Sequence, residues 1–326
     1  FGHACGQLFL AYRDGQPVGS ISAQVDQLQA SENGQSVGYF GQFESVNDEE
    51  VAGQLLDHAA AWLKKQGCQR MRGPYDLSIN QSCGLLVEGR ETPPMILMGH
   101  APAYYQSLFE GSGLGGEKDL LAYLVAPDFS APPAMTRMVN RRRGSLEFRP
   151  LDMSHYAQEV ELLRDLFNDA WAENWGFVPL TREEFAHTGR EIRRILNPRH
   201  ACIAEVDGEP AGFIIALPNL NEWISDLKGR LMPTGWARLL WRLKRARATT
   251  ARVPLMGVKR RFQGGSLGAA ISFGMIDSIR HALYESGVRQ VEMSWILEDN
   301  KGMNSLIHAM GGRLSKRYRM YGRPID

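Results

Sequence analysis

Two stretches of the chain repeat one short pattern, and this repeat constrains the fold more than any other feature. AYRDGQPVGSI begins at residue 11 and AEVDGEPAGFI at residue 204, and they share Ala, Asp, Gly, Pro, Gly and Ile at the same places. An Asp-Gly pair between two segments rich in apolar residues is typical of the tight turn of a β-hairpin. The sequence therefore predicts two equivalent hairpins, one in each half of the chain.

The segments that follow the hairpins repeat as well. Residues 37–67 and 253–287 each predict a strand and then a helix that ends at glycine, and each continues into a short strand, a helix and a tyrosine-bearing strand. We expect an α/β fold with a mixed sheet, built as two tandem domains of one plan. The first domain is predicted at 1–135, without the opening strand and helices of its counterpart. A linker is predicted at 136–145 and the second domain at 146–326.

The composition excludes several classes of protein. Hydrophobic residues make up 44% of the chain and charged residues 22%, and the net charge of +1 gives no general attraction for nucleic acid. The four cysteines show no CxxC spacing and the eight histidines no ligand spacing, so the sequence predicts neither a disulfide framework nor a metal site. No run of about 18 apolar residues predicts a membrane span, and we expect a cytoplasmic location. None of these features sets the oligomeric state.

A glycine-rich turn near the C-terminal end admits two interpretations. In RRFQGGSLGAA, residues 260–270, Gly264, Ser266 and Gly268 match the GxSxG turn that presents the nucleophile of many serine hydrolases. The same turn suits an anion, because closely spaced glycines let backbone N–H groups converge at the positive end of the helix that follows. Ser266 attacks a substrate in the first interpretation and is unreactive in the second.

The stretch VKRRFQGGSLGAAI resembles the pyrophosphate-binding motif of the GNAT N-acyltransferases, which is Gln or Arg, two residues, Gly, one residue, then Gly or Ala. Gln263, Ser266 and Gly268 take the three positions, with serine in place of the first glycine. Residues 294–312, SWILEDNKGMNSLIHAMGG, resemble the next motif of that family. The resemblance covers most of residues 146–326 and implies that this domain binds acetyl-coenzyme A or another acyl-coenzyme A.

The resemblance also implies roles for particular residues. The strand before the loop would pair with the pantetheine arm, the loop would hold the pyrophosphate, and two asparagines would face the cofactor. The cofactor-binding residues implied in this way are Met256, Gly257, Val258, Gln263, Gly264, Gly265, Ser266, Leu267, Gly268, Ala269, Asn300 and Asn304. The implied reaction is direct attack on the thioester by the amine of a small molecule or peptide, with acetyl as the family's usual acyl group.

The catalytic groups depart from the family, because the helix position at which many members carry a tyrosine acid is Ile307 here. Glu298 is a candidate base, Tyr318 is a candidate acid, and Asn300 is a further candidate. Two alternatives come from other classes. One is a protein of this fold that binds or senses coenzyme A without transfer, and the other is a serine hydrolase that uses Ser266.

The first copy provides an internal comparison for the glycine-rich loop. Aligning the helices places NDEEVA, residues 47–52, where the second copy has QGGSLG, so three acidic residues would face a pyrophosphate. Because like charges repel at contact distance, we expect the first domain not to bind coenzyme A. Its acidic residues are predicted to serve the helix N-terminus instead.

The segment FNDAWAENWGFVPLT, residues 167–181, corresponds to the part of GNAT proteins that shapes the acceptor pocket. The implied substrate-binding candidates are Asn168, Trp171, Glu173 and Trp175. A pair of tryptophans at this spacing is also typical of a protein core.

Two further stretches are interpreted as ordinary structure. Asn80, Gln81 and Cys83 lie in residues 74–95, an insertion of the first copy that we interpret as a surface loop, with polar contacts at a site between the domains as the alternative. Residues 236–248, WARLLWRLKRARA, predict a basic amphipathic helix. We expect its apolar stripe to pack on the sheet, and a membrane or nucleic-acid surface is the alternative.

Overall fold

The computed structural model of the chain describes residues 2–29, 34–245 and 247–325. Within them, strands form one mixed sheet and helices cover its faces, which confirms the predicted α/β class. The strands are β1 Ala4–Arg13, β2 Gln16–Asp26, β3 Val37–Ser45, β4 Arg70–Gly73, β5 Leu85–Glu88, β6 Gly115–Val125, β7 Leu146–Arg149, β8 Ala201–Val206, β9 Glu209–Pro218, β10 Thr250–Val258, β11 Gln290–Leu297 and β12 Arg313–Pro324. The helices are α1 Glu49–Lys65, α2 Tyr104–Gly111, α3 Pro133–Asn140, α4 Tyr156–Trp171, α5 Arg182–Ile192, α6 Asn221–Ile224, α7 Gly235–Arg245, α8 Gly265–Glu285 and α9 Lys301–Ala309.

The two repeated hairpins form as predicted. β1 pairs antiparallel with β2 across Asp14 and Gly15, and β8 pairs with β9 across Asp207 and Gly208. These four turn residues have φ of 50°, 76°, 51° and 80°. Positive φ at both central positions is the conformation that matches a two-residue turn to the twist of its strands, and Asp-Gly adopts it readily.

The two halves of the chain exchange their closing strands. The sheet order is β1-β2-β3-β4-β12-β6-β11-β10-β9-β8-β7, and β5 pairs with β12. β3 and β4 pair in parallel, as do their counterparts β10 and β11. β6, from the first half, lies antiparallel against β11, and β12, from the second half, lies antiparallel against β4. The two copies therefore form one continuous sheet, in which β6 and β12 are central neighbours.

Half of the segment predicted as a linker, residues 136–140, is helical and belongs to α3, and residues 141–145 form turns. Within α3, Met135, Met138 and Val139 pack against the hydrophobic cluster that α8 forms with the sheet. The chain then turns and enters β7. The domain boundaries themselves stay a prediction, because the exchanged strands β6 and β12 join the two halves at the centre of the sheet.

Both faces of the second half of the sheet are buried. In β9, Ile214 and Ala216 face the cluster that contains α8, whereas Phe213 and Ile215 face the cluster that contains α4. Successive strand residues point to opposite faces, so a strand covered on both sides is apolar throughout. Helices therefore sandwich the strands that carry the predicted site.

Candidate active site

A cavity of about 810 Å³ opens where the parallel strands β10 and β11 part. Their ladder joins residues 250–253 to residues 290–293 and ends there. Pro254 follows in β10, with a shift of register between Arg252 and Leu255, and proline has no N–H to donate to a neighbouring strand. Both strands continue as walls of the cavity. The cavity therefore passes between them, from the side of α8 and α9 to the side of α4 and the first half.

The cavity ends at the glycine-rich loop before α8. Gly264 and Gly265 have φ of 81° and 55°, in the left-handed region that glycine adopts without strain. A Cβ at Gly268 would lie 2.9 Å from the carbonyl oxygen of Phe262, so only glycine lets the loop close on the helix. Within the described residues no side chain caps the N-terminus of α8. Its first N–H groups are therefore open to an anion at the positive end of the helix.

The equivalent helix of the first half is closed by its own side chain. The Asp48 carboxylate accepts from the N–H groups of Glu50 and Val51, at 2.9 and 3.2 Å, and from Arg13 Nη1 at 2.9 Å. The Val51 N–H and the Arg13 guanidinium hold the pKa of Asp48 below its ordinary value. The prediction that acidic residues serve this helix terminus is confirmed. A fixed carboxylate thus occupies, at α1, the position that no side chain of the described residues fills at α8.

Gln263 lines the cavity and braces the loop. Its Nε2 donates to the carbonyl oxygen of Val258 at 2.7 Å and to that of Ala170 at 3.0 Å. These two hydrogen bonds join the loop to the end of β10 and to α4. Gln263, the first residue of the motif, therefore fixes the position of the glycine-rich loop relative to β10 and α4.

Ser266 is not arranged as a nucleophile. Its Oγ accepts from Arg142 Nη2 at 2.8 Å, and no histidine or carboxylate of the described residues hydrogen-bonds to it. A reactive serine needs a base that takes its proton. The geometry therefore contradicts the hydrolase interpretation of the GxSxG turn.

Arg142 was missed by the sequence analysis, which placed it in the linker. Its side chain reaches the loop, and its Nε is buried without a hydrogen-bond partner among the described residues. A guanidinium in this position is suited to phosphate oxygens. The arginine run at 141–143 was the sequence signal, but only the packing of α3 on α8 brings it to the site.

The strand segment expected to hold the pantetheine arm, residues 256–258, lines the cavity and pairs with β9 on its other side. Trp171 Nε1 donates to the carbonyl oxygen of Met256 at 3.1 Å. A carbonyl oxygen has two lone pairs, so a pantetheine amide that pairs with Met256 shares this acceptor with the indole. A Cβ at Gly257 would lie 2.8 Å from the Cβ of Ala170, so the glycine lets α4 approach the strand.

The opposite wall comes from the first half of the chain. Ile79, Asn80 and Cys83 line the cavity, and Cys83 is only 5% exposed. Asn80 Nδ2 donates to the carbonyl oxygen of Val178, which joins this stretch to the second half at 2.9 Å. The interpretation of residues 74–95 as a surface loop is therefore wrong for these positions. Its contacts are about a hundred residues away in the chain, so no local pattern reveals them.

Of the four substrate-binding candidates, the two tryptophans Trp171 and Trp175 line the cavity. Asn168 has a structural role instead, because its amide accepts from the N–H of Leu180 at 2.9 Å and donates to the carbonyl oxygen of the same residue at 3.0 Å. Glu173 is exposed and pairs with Arg260, outside the lining. Asn168 and Glu173 are thus corrected from candidate contacts to residues that hold the surrounding loops.

The structure does not place Glu298 or Tyr318 at the cavity. Glu298 Oε1 accepts from the N–H of Asp119 at 3.0 Å, beside β6. Tyr318 is fully buried, its hydroxyl donates to the carbonyl oxygen of Gly99 at 3.3 Å, and burial raises its pKa. Because β12 is covered on both faces, its tyrosine is part of the core. Neither residue is placed to exchange a proton with a substrate in the cavity.

The two asparagines near α9 also differ from each other. Asn300 lines the cavity and caps α9, accepting from the N–H of Met303 at 3.1 Å. Asn304 lies outside the lining, and its Nδ2 donates to the carbonyl oxygens of Leu297 and Glu298 at 3.3 and 3.2 Å. Asn304 therefore braces the end of β11. Leu267, likewise expected at the cofactor, packs against the core.

Cys83 is the one ionisable side chain among the described residues that line the cavity. Burial raises its pKa, so it stays a neutral thiol. The lining is otherwise apolar, aromatic or uncharged polar. No group of three or more His, Cys, Asp or Glu residues in the described chain is placed to hold a metal ion.

A buried acid lies directly behind the lining at Ser294. The Ser294 Oγ donates to Glu292 Oε1 and accepts from Arg252 Nε, both at 2.8 Å. Glu292 is 1% exposed, and burial raises the pKa of its carboxyl group. Arg252 in β10 and Glu292 in β11 lie opposite each other in the sheet. A charged residue within each of these apolar strands was the sequence signal, but neither residue belongs to a short motif.

Two known proteins are similar in sequence to this chain along almost all of its length. No protein-family model matches the chain. The chain is 40% identical over 324 residues to Protein YghO of Escherichia coli (strain K12), a match that covers 99% of this chain and 83% of that protein. It is 43% identical over 328 residues to the bacterial ceramide synthase of Caulobacter vibrioides (strain NA1000 / CB15N), covering 100% of this chain and 85% of that protein.

Solved structures share the fold at low sequence identity. A tandem GNAT protein from the clavulanic acid biosynthesis pathway superposes with a TM-score of 0.53 and 14% identity, covering 99% of this chain and 84% of that one. A GCN5-related N-acetyltransferase from Sphaerobacter thermophilus gives 0.51 and 14%, covering 96% and 78%. The chain thus belongs to the family of Protein YghO and the bacterial ceramide synthase, and it has the tandem GCN5-related N-acetyltransferase fold.

Proposed function

We propose that the chain is an N-acyltransferase that moves a fatty acyl group from acyl-coenzyme A to the amine of a long-chain base. The observation that supports this most is the cavity itself. It begins at an open helix N-terminus, passes between two diverging strands, and continues along a wall without charged side chains. The helix N-terminus suits a pyrophosphate, the gap between the strands suits a pantetheine arm, and the uncharged wall suits apolar chains.

The glycine-rich loop would hold the pyrophosphate of the donor. The open N–H groups of α8 and the guanidinium of Arg142 supply hydrogen bonds and positive charge there. In this proposal Gln263 keeps the loop in shape, and Asn300 and the backbone of residues 256–258 line the path of the arm.

A fatty acyl group fits the cavity better than the acetyl group that the family resemblance implies. The volume of about 810 Å³ lies in the upper part of the range of roughly 300–1,000 Å³ for small-molecule sites. Each methylene group that leaves water for an apolar wall contributes about 0.8 kcal/mol. An acetyl group would leave most of this wall without a partner.

The acceptor is proposed from the name of the Caulobacter relative. A ceramide is the amide of a fatty acid with a long-chain amino alcohol, so a ceramide synthase joins two apolar chains through one amide. Trp171, Trp175 and Phe177, on the α4 side of the cavity, offer an apolar surface to the second chain. We extend this acceptor class to the present chain on the basis of 43% identity along its whole length.

The chemistry requires one proton to leave the amine. The amine nitrogen bonds to the thioester carbon, the carbon–sulfur bond breaks, and sulfur leaves as a thiolate of low basicity. Ser294 Oγ keeps one lone pair free, which can accept the amine N–H while its own proton moves to Glu292. The raised pKa of the buried Glu292 carboxyl makes it a better proton acceptor than an exposed glutamate.

The purified protein, mixed with hexadecanoyl-coenzyme A and a long-chain 2-amino alcohol, tests the proposal. We expect amine-dependent release of free thiol and an amide product by mass spectrometry. Acetyl-coenzyme A should support the reaction with a kcat/KM at least about tenfold lower. If acetyl-coenzyme A is used equally well or better, the proposal that the enzyme transfers a fatty acyl group is refuted.

The alternatives give other outcomes in the same assay. Binding of hexadecanoyl-coenzyme A without thiol release indicates the sensor, for which the lack of a charged side chain in the lining is the supporting observation. Thiol release without the amine would contradict the proposed transfer. We also propose a cytoplasmic location, in agreement with an acyl-coenzyme A donor and four free cysteines.

A further inference from the structure

The segment between β9 and β10 exposes large apolar side chains. We name these side chains the apolar patch: Leu231, Met232, Trp236, Leu240 and Trp241. Met232 is 75% and Trp241 61% exposed, values typical of polar surface residues. The expectation that the apolar stripe of α7 packs on the sheet is therefore wrong for Trp236 and Leu240, which face solvent.

The apolar patch is held as one surface on a short folded segment. The Trp236 N–H donates to the carbonyl oxygen of Leu231 at 2.9 Å, and its indole Nε1 donates to that of Pro233 at 2.9 Å. On the far side of α7, Arg242 Nη2 donates to Asp226 Oδ2 at 2.8 Å. These bonds orient α7 with its tryptophans outward.

Positive charge predominates around the apolar patch, although Arg242 pairs with the Asp226 carboxylate. Residues 228–247 contain seven lysine and arginine residues and no aspartate or glutamate, although the whole chain has a net charge of only +1. Lys228 and Arg230 are exposed and form no ion pair within the described chain, and Arg238 is exposed on α7. A surface with exposed tryptophan and leucine between basic side chains is complementary to one kind of partner, an anionic lipid bilayer.

We infer that the apolar patch and the surrounding basic side chains dock the protein on the surface of a membrane that contains anionic lipids. Tryptophan and leucine enter the boundary between headgroups and acyl chains, and the lysine and arginine side chains extend to the phosphates. No helix of the described residues is long and apolar enough to cross a bilayer. The proposed contact is with the bilayer surface.

Other occupants fit less well. A second copy of the chain would bring the same concentrated positive charge against itself, which like-charge repulsion opposes. A nucleic acid would satisfy the basic side chains but leave the exposed apolar ones without a partner. The inference depends on the surface alone, so it stands or falls separately from the proposed acyl transfer.

Flotation with lipid vesicles tests the inference. We expect the full chain to float with vesicles of phosphatidylglycerol and phosphatidylcholine in equal parts, and to bind phosphatidylcholine vesicles much less. High salt should weaken the binding, because it screens the lysine and arginine charges. The double variant Trp236→Ser, Trp241→Ser should lose at least about tenfold in vesicle partitioning.

The matched control is the double variant Leu8→Ser, Leu10→Ser. These side chains of β1 are 51% and 53% exposed, close to the tryptophans, but lie outside the basic segment. It should float like the unchanged protein. Thiol release with donor and acceptor in detergent should be unaltered in both variants, because neither pair lines the cavity. Thermal unfolding checks that both variants remain folded.

Three outcomes would overturn the inference. The first is a protein that does not float with the anionic vesicles, and the second is an equal loss in both double variants. The third is a protein that does not bind the vesicles and is a dimer by light scattering, while the tryptophan variant is a monomer. This result would assign the apolar patch to contact with a second copy of the chain. Acyl transfer in detergent has no influence on any of these results.

Discussion

Replacing Gln263 with alanine tests how the glycine-rich loop is held. The change removes the two hydrogen bonds from Nε2 to Val258 and Ala170. A hydrogen bond contributes a net of about 0.5–1.5 kcal/mol to a folded state. Gln263 is exposed on the cavity side, so we expect the lower part of the summed range, a loss of about 1–2 kcal/mol.

Calorimetric titration with coenzyme A and urea unfolding divide this loss between binding and folding. If all of it falls on the bound state, the Kd for coenzyme A rises by about 5- to 30-fold, since 1.4 kcal/mol is a factor of ten. Any part that appears as a lower free energy of unfolding reduces the effect on Kd. Gln263→Glu should bind more weakly still, because it places a carboxylate oxygen against two carbonyl oxygens and near the pyrophosphate.

Ser266→Ala is the matched control in the same loop. It removes one hydrogen bond from Arg142 at an exposed position, so we expect a change within about 0.5 kcal/mol in either measurement. The reasoning is refuted if Gln263→Ala binds coenzyme A like the unchanged protein and unfolds at the same urea concentration. It is also refuted if Ser266→Ala proves to be the more damaging change.

Three further predictions concern other parts of the site and fold. Glu292→Gln should lower kcat by roughly 100-fold without weakening coenzyme A binding, and the acid limb of the pH–rate profile should disappear; an unchanged profile would remove Glu292 from the proton path. Gly268→Ala should raise the Kd for coenzyme A about tenfold, since its Cβ would meet the Phe262 carbonyl oxygen, whereas Gly53→Ala, with no atom within 4 Å of its Cβ, should stabilise α1 by about 1 kcal/mol. Burial lowers the pKa of His200 below its ordinary 6.5, so the unfolded chain takes up a proton first; the free energy of unfolding should increase with pH up to about 6.5, and His200→Gln should flatten that slope.

The sequence predicted the features that depend on local backbone chemistry. The Asp-Gly pairs at 14–15 and 207–208 predicted both hairpins, because few residue pairs adopt positive φ twice in succession. The spacing of Gly264 and Gly268 predicted the open helix terminus, and the acidic residues before α1 predicted the closed one. In each case the relevant atoms lie within a few residues of one another.

The features that the sequence did not predict depend on contacts between distant segments. The apolar pattern of a strand specifies its buried face but not its neighbour. The sequences of β6 and β12 therefore do not show whether these strands pair within one half of the chain or across the two halves. For the same reason the sequence around Cys83 and Arg142 did not show that these residues reach the cavity and the loop. The outward orientation of Trp241 depends on how the segment between β9 and β10 folds back on itself.

The exchanged closing strands have a consequence for synthesis on the ribosome. β4 is complete after residue 73, but its neighbour β12, residues 313–324, leaves the exit tunnel only after the other strands of the sheet have been translated. Until then the nascent first half has an unpaired strand edge, the kind of surface that associates with other chains. The first half therefore cannot complete its part of the sheet before β12, a strand of the second half, is available to pair with β4.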